Sequence, residues 1–207
     1  MFIIAYTLGV GDKFLKGKIM AKLYFRYGAM GSSKTANALM VRYNYIERNK
    51  KVVLLKPSVE NRDGEKVIKS RIGLEAECEI VEDFLDRIDE NIKEYDAIIV
   101  DESQFISAEN IKKLADIVDN YDVPVICYGL KTDFRGKFFE GSEALMALAD
   151  ELEEIPTVCW CGKKARFNAR IRDGKVVRDG EQVVMGGNES YISLCRKHFY
   201  EGDLNCH

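Results

Sequence analysis

The sequence predicts an α/β fold, a parallel sheet with helices on both faces, followed by a small module of different composition. Three observations predict it. Short apolar runs alternate with stretches of helical period. These runs are apolar at consecutive positions, as in strands covered on both faces, and do not alternate as a half-exposed sheet would. After Pro156 the composition shifts, and four of the six cysteines and both histidines fall beyond it.

Residues 1–19 carry Gly9, Gly11, Gly17 and scattered lysines without a sustained period. They are expected to form a disordered extension, with Met20 as the natural start. Lys22 to Tyr27 reads as the first strand, and Thr35 to Arg48 as a helix with Ala36, Leu39, Met40, Tyr43 and Ile46 on one face. Val52 to Lys56 is a second strand, Pro57 to Gly64 a polar loop, and Val81, Phe84, Leu85, Ile88 and Ile92 mark a second helix. Asp96 to Val100 is a third strand, Ser107 to Asn120 a helix with Ser107 as its N-cap, and Val123 to Tyr128 a fourth strand. A helix from about Ser142 to Ala149 ends the pattern. The expected units are therefore 20–155, a module over 156–200 and a tail over 201–207. Ligands of such a sheet sit at the carboxyl ends of its strands.

The chain of 207 residues suits one full-sized domain with a small satellite. Apolar residues at 46% exclude a disordered chain, and 31 Lys plus Arg against 34 Asp plus Glu exclude a global positive field for nucleic acid or an anionic membrane. No run approaches the roughly 20 apolar residues of a membrane helix. Phe2 to Val10 is broken by Thr7 and Gly9 and has no positive leader before it. A cytoplasmic location is expected, where cysteines serve as metal ligands or buried thiols and not as a disulfide framework.

The first strand runs into Gly28, Ala29, Met30, Gly31, Ser32, Ser33, Lys34 and Thr35, with a helix immediately after. Strand, G-x-x-x-x-S-K-T loop and helix form the phosphate-loop arrangement of a RecA-like sheet. Backbone N–H groups and the helix N-terminus cradle phosphates, the lysine reaches the β and γ oxygens, and the threonine hydroxyl binds Mg²⁺. Ser33 departs from the usual glycine. The third strand delivers Asp101-Glu102-Ser103-Gln104-Phe105 at its carboxyl end. An aspartate there supports Mg²⁺, and Glu102 beside it is placed to accept a proton from an attacking hydroxyl. Cys159-Trp160-Cys161 and Cys195-Arg196-Lys197-His198 are two ligand pairs, on two hairpin-like knuckles, that suit a closed Cys₃His zinc site; the alternative is a set of reduced thiols without metal. Cys78 and Cys127 read as core thiols.

Together with Gly129-Leu-Lys-Thr-Asp-Phe134-Arg and Val183-Val-Met-Gly-Gly-Asn-Glu-Ser-Tyr191, these residues resemble the thymidine kinases of the cellular, zinc-containing type, from about Lys22 to Phe199. The resemblance implies a cytosolic homotetramer that transfers the γ-phosphoryl of ATP to the 5′-hydroxyl of thymidine, with feedback inhibition by dTTP. It implies ATP contacts from Gly28 to Thr35 and at Asp101, Gln104 and Arg62. It makes Thr35 and Asp101 the magnesium contacts and Glu102 the base. It places Met30, Phe105, Phe134, Arg170 and Tyr191 around the nucleoside, and makes Val183, Val184, Met185, Gly186 and Gly187 part of a lasso over the base. In that reading 156–200 is a zinc-binding lasso domain. Lys163, Lys164, Arg166, Arg172, Lys175 and Arg178 read as a solvated face.

A rival class stays open at this level: a phosphate-loop ATPase acting on nucleic acid. The Asp-Glu-Ser-Gln run resembles a helicase acidic box, and a basic zinc ribbon can hold a phosphate backbone. A helicase motor normally couples two such cores, and this acidic chain has room for one.

Overall fold

The computed structural model describes residues 20–60, 64–182 and 190–205. Leu23–Tyr27 (β1) leads through the phosphate-loop motif into Lys34–Ile46 (α1). Next come Val52–Lys56 (β2), a hairpin of Val67–Lys69 (β3) and Glu75–Glu77 (β4), Glu79–Ile80 (β5) and Val81–Leu85 (α2). Ala97–Val100 (β6), Ala108–Tyr121 (α3), Val125–Gly129 (β7), Glu140–Leu148 (α4) and Glu151–Glu154 (β8) complete the larger unit. Its six-stranded sheet has the order β5-β2-β6-β7-β1-β8, and every pairing is parallel.

Neighbouring residues of one strand point to opposite faces, so a continuous apolar run fills two cores. Leu55, Ile98 and Val100 bury with Phe25 under α2, α3 and α4, while Leu54 and Ile99 bury with Ile126 and Tyr128 under α1 and Ile68 of β3. Ser107 caps α3 as expected, accepting from the Asn110 N–H at 3.3 Å.

Three expectations are corrected. The buried residues of α1 are Lys34, Ala36, Ala38 and Leu39, all in its first half, whereas Met40, Tyr43 and Ile46 are exposed. Small alanines let that first half lie close on the sheet, and among the described residues none buries Met40, Tyr43 or Ile46. The second helix ends at Leu85. Asp89 then caps a separate 3-10 turn, Glu90–Glu94, by accepting from the Asn91 N–H at 2.8 Å, and this turn carries Ile92 into the core. Finally the acidic segment Glu151–Glu154 is an edge strand of the main sheet, paired with β1 and tied to it by Lys22–Glu151 and Arg26–Glu153 ion pairs.

The C-terminal module begins with a hairpin of Thr157–Val158 (β9) and Lys164–Ala165 (β10). Phe167–Arg172 (β11), Lys175–Val177 (β12) and Ser190–Leu194 (β13) form an antiparallel sheet with β11 in the centre, and Arg196–Glu201 (α5) follows. Asp173 and Gly174 both take positive φ, the backbone a two-residue hairpin turn requires between β11 and β12. Cys159, Ala165, Ala169, Leu194, Cys195 and Phe199 make its core. No described helix is long and apolar enough to cross a membrane.

Candidate active site

The phosphate-loop motif opens at the carboxyl end of β1. A Cβ on Gly28 would lie 2.4 Å from the Ile155 carbonyl oxygen and 2.5 Å from Ser32 Oγ, so only glycine fits there. Gly31 has φ 74° and Ser33 φ 60°. A side chain in that left-handed region costs about 1 kcal/mol, which is why glycine is the usual occupant of the Ser33 position. We expect Ser33→Gly to keep kcat and to leave the melting temperature unchanged or higher, since relief of this strain offsets the entropy glycine adds to the unfolded chain. A melt and a turnover assay check it; a clear drop in either would assign the serine hydroxyl a contact of its own.

Lys34, 9% exposed, donates to the carbonyls of Gly28 (3.1 Å) and Ala29 (3.0 Å) and to Ser32 Oγ (3.3 Å). Burial lowers its pKa, while the carboxylates of Glu102 and Asp101 act in the opposite sense. Those two residues follow β6, next to β7 in the middle of the sheet. Asp101 is buried and accepts the Thr35 hydroxyl. Desolvation, then repulsion from Glu102, push its carboxyl up to about 7, against the Thr35 bond and the Lys34 charge. A cation arriving between Thr35 and Asp101 would reverse that balance in favour of the anion. The oxygen donors and the suppressed negative charge fit Mg²⁺.

Glu102, half-buried, sits at φ 51° and starts a 3-10 turn over Ser103–Phe105. The Gln104 amide donates to Glu102 Oε2 at 2.5 Å, and Gln104 Oε1 accepts the Leu130 N–H at 2.9 Å. Ser103 donates to the Tyr128 carbonyl. Both neighbours of the carboxylate are thereby anchored on β7 and the residue after it.

Of the aromatic residues, Phe105 follows β6 and Phe134 follows β7. Phe105 is half-buried with its ring edge-on to Phe139, and Phe134 is buried. Arg170 is 1% exposed, with its guanidinium 3.6 Å from the Phe134 ring centre. It donates to the Tyr191 hydroxyl (2.8 Å) and to the carbonyls of Glu181 (3.0 Å) and Gln182 (3.3 Å). Its place is that of a staple between the two stems of the 183–189 segment. The basic residues Lys163, Lys164, Arg166, Arg172 and Lys175 are exposed, while Arg178 is half-buried over the Phe199 ring and donates to the Phe199 carbonyl. Arg62, Val183, Val184, Met185, Gly186 and Gly187, like residues 1–19, lie outside the described residues.

Sequence reasoning missed Asn168 and Ser193. Asn168 Oδ1 accepts the Met30 N–H at 2.7 Å, and Ser193 Oγ donates to the Met30 carbonyl at 2.5 Å. No local pattern marks partners so far apart in the chain.

The ligand atoms of Cys159, Cys161, Cys195 and His198 all lie within 4.8 Å of one another. Cys159 Sγ is 3.4 Å from His198 Nδ1, and Cys161 Sγ 3.9 Å from Cys195 Sγ. Tetrahedral zinc with Zn–S of about 2.3 Å and Zn–N of about 2.0 Å demands edges of about 3.5 to 3.8 Å, so the donor set fits the ion. One correction applies: the first pair sits on the β9–β10 hairpin, but Cys195 is the N-cap of α5 and His198 lies within that helix. The indole of Trp160 stacks on the His198 imidazole at 4.1 Å. Cys78 and Cys127 are buried in the main unit, as expected.

The thymidine kinase family model matches residues 21–199. The chain is 45% identical over 190 residues to a thymidine kinase of Streptococcus gordonii, covering 90% of this chain and 100% of that one. It is 45% identical over 188 residues to one of Shewanella oneidensis, covering 88% and 98%. The thymidine kinase of Enterobacteria phage T4 is 46% identical over 188 residues, covering 88% and 97%. With the phosphate-loop motif, the Asp101-Glu102 strand end and the Cys₃His cluster held on the scaffold described above, the chain belongs to the thymidine kinase family.

Proposed function

We propose that the protein transfers the γ-phosphoryl of ATP to the 5′-hydroxyl of thymidine, giving dTMP and ADP. The observation that carries this reading is the convergence of Lys34, Thr35, Asp101 and Glu102 at the carboxyl ends of two inner strands, β1 and β6. The bond formed joins the 5′-oxygen to the γ-phosphorus, and the bond broken is that between the γ-phosphorus and the β,γ-bridging oxygen. The hydroxyl proton passes to the Glu102 carboxylate, which Gln104 orients. Lys34 exchanges its backbone acceptors for phosphate oxygens and balances the charge that develops on ADP. Thr35 and Asp101 would hold Mg²⁺, which neutralises charge on the β and γ oxygens. Gly28 to Ser33 and Gln104 complete the ATP side with Arg62, and Met30, Phe105 and Tyr191 face the nucleoside beneath Val183 to Gly187.

Thymidine-dependent ADP release in the absence of nucleic acid tests the reading. ADP formed only with DNA or RNA would favour the rival ATPase; none of the geometry described favours that class. We further propose that dTTP inhibits as the feedback end product, that the enzyme is a cytoplasmic homotetramer, and that 20–155 binds nucleotide while 156–200 closes over the nucleoside. The exposed Met40, Tyr43 and Ile46 of α1 support assembly through that helix. Light scattering measures the stoichiometry.

The Cys₃His cluster joins the hairpin before the lasso strands to the helix after them, so zinc there would clamp the base of the segment between β12 and β13. We expect Cys195→Ser, or chelation, to weaken thymidine binding by about tenfold or more and Mg-ATP binding by less than about threefold, because a metal supplies in advance the ordering that binding otherwise costs. Calorimetric titration of both ligands, with metal analysis, checks this. Metal-free purified protein, or equal losses for both ligands, would eliminate the clamp.

A further inference from the structure

We propose that Asn168 and Ser193 are positioning residues that latch the phosphate loop to the lasso sheet, so that a seated nucleoside and ATP strengthen each other's binding; this rests on the reading that both ligands occupy the site described above. Met30 is the point of attachment. Its N–H is taken by Asn168 Oδ1 and its carbonyl by the Ser193 hydroxyl, so both backbone groups of a loop residue are satisfied by the C-terminal module. In the usual phosphate loop the N–H groups turn inward to the anion. Here the Met30 N–H turns outward, and Gly31, at φ 74°, follows it as the pivot at which the loop bends back. The Gly31 carbonyl in turn accepts the Thr157 hydroxyl at 3.4 Å, a third tie to the same module.

The latch is built on the strands that hold the nucleoside side. Asn168 and Ser193 are register partners across β11 and β13, and Arg170 and Tyr191 are the next pair on the same face. Arg170 staples the Glu181 and Gln182 carbonyls on one stem and the Tyr191 hydroxyl on the other. A two-strand plate therefore grips the stems of the 183–189 segment at one position and Met30 two residues further along. Asn168 is 3% exposed, so water does not readily replace its bond to the loop. A nucleoside seated against Tyr191 bears on this plate, so any displacement of β11 and β13 must shift Met30 or break these bonds, and any shift of Met30 alters the Gly28 to Thr35 loop that contains it. Linkage requires the effect to run equally in both directions.

The test is calorimetric titration of the full chain with a non-hydrolysable Mg-ATP analogue, with and without saturating thymidine. For the unmodified protein, thymidine is expected to tighten analogue binding by about fivefold or more, and the analogue to tighten thymidine by the same factor. In Ser193→Ala, and more fully in Asn168→Ala/Ser193→Ala, that factor falls toward one. Ser193→Thr, which keeps the hydroxyl, retains it. A merely structural role would weaken each ligand and leave the ratio intact. Ser193→Ala removes a single half-buried hydroxyl, so it serves if the double variant does not fold. An unchanged ratio in a folded Ser193→Ala variant, or a ratio of one in the unmodified protein, overturns the latch while leaving the kinase reading standing. Failure of the unmodified protein to bind thymidine at all overturns both.

Discussion

Glu102→Gln is expected to lower kcat by at least ~10² while the dissociation constants of Mg-ATP and thymidine stay within about threefold of the unmodified protein. Glu102 is held at φ 51° at the start of a 3-10 turn whose next two side chains are anchored on Tyr128 and Leu130, so its backbone position does not depend on its own charge. Glutamine has the same shape and removes the capacity to accept a proton. Gln104, which donates to the carboxylate, can turn its amide interaction toward the new side-chain oxygen, so the local fold survives. The substitution also removes one of the charges that favour the protonated Lys34, and the one whose repulsion raises Asp101. That change favours ionised Asp101 and so does not weaken a bound cation, which is why the loss is assigned to kcat. Single-turnover phosphoryl transfer with both ligands saturating measures it. Turnover near that of the unmodified protein in a folded variant would remove Glu102 from the base role.

What could be read from the sequence follows the range over which each interaction acts. The Gly28 to Thr35 loop and the Asp101-Glu102 pair were legible because each is a short run whose chemistry needs fixed spacing between neighbouring residues. The zinc ligands were legible in the same way, as two pairs with tight internal spacing, although the identity of their supports was not: Cys195 caps a helix that the cysteine spacing gives no hint of. The main strands showed themselves by two-sided burial. Glu151–Glu154 did not, because an acidic four-residue edge strand has the composition of a loop and is settled by its backbone pairing with β1 and by Lys22, Arg26 and Lys164 beside it. The α1 stripe misled for a related reason. Period reports which residues share a face, but whether Met40, Tyr43 and Ile46 meet a partner depends on how far the sheet extends beneath them. The face of β11 carrying Asn168, Arg170 and Arg172 has a polar pattern ordinarily read as solvated. Arg170 is nonetheless buried, since an aromatic face, a hydroxyl and two carbonyls satisfy its guanidinium.

Lys34→Met is expected to lower kcat/KM for ATP by about 10³ or more without lowering the melting temperature of the ligand-free protein. The two outcomes have a common cause. The ammonium is nine-tenths buried, and its bonds go to two neutral carbonyls and one hydroxyl. Burial outweighs the help of Asp101 and Glu102, so its pKa is lowered: the folded protein holds this charge at a cost. Methionine keeps the length and the apolar stem of the side chain and removes the desolvated charge. The carbonyls of Gly28 and Ala29 lose a donor, a penalty of about 1 to 3 kcal/mol for each group left unsatisfied, which the relief of charge burial offsets. With ATP bound the balance reverses, because the same enclosed ammonium then faces phosphate oxygens in a site where water cannot screen it. Lys34→Arg is not expected to rescue activity, since a planar guanidinium does not fit the narrow space between the Gly28 and Ala29 carbonyls and Ser32 that a compact ammonium fills. Thermal melts of the ligand-free variants and initial rates over a range of ATP concentrations decide the matter. A Lys34→Met variant with normal kcat/KM would show that the loop after β1 does not hold the phosphates; one that loses several degrees of stability together with activity would show that the lysine is held in place chiefly to support the fold.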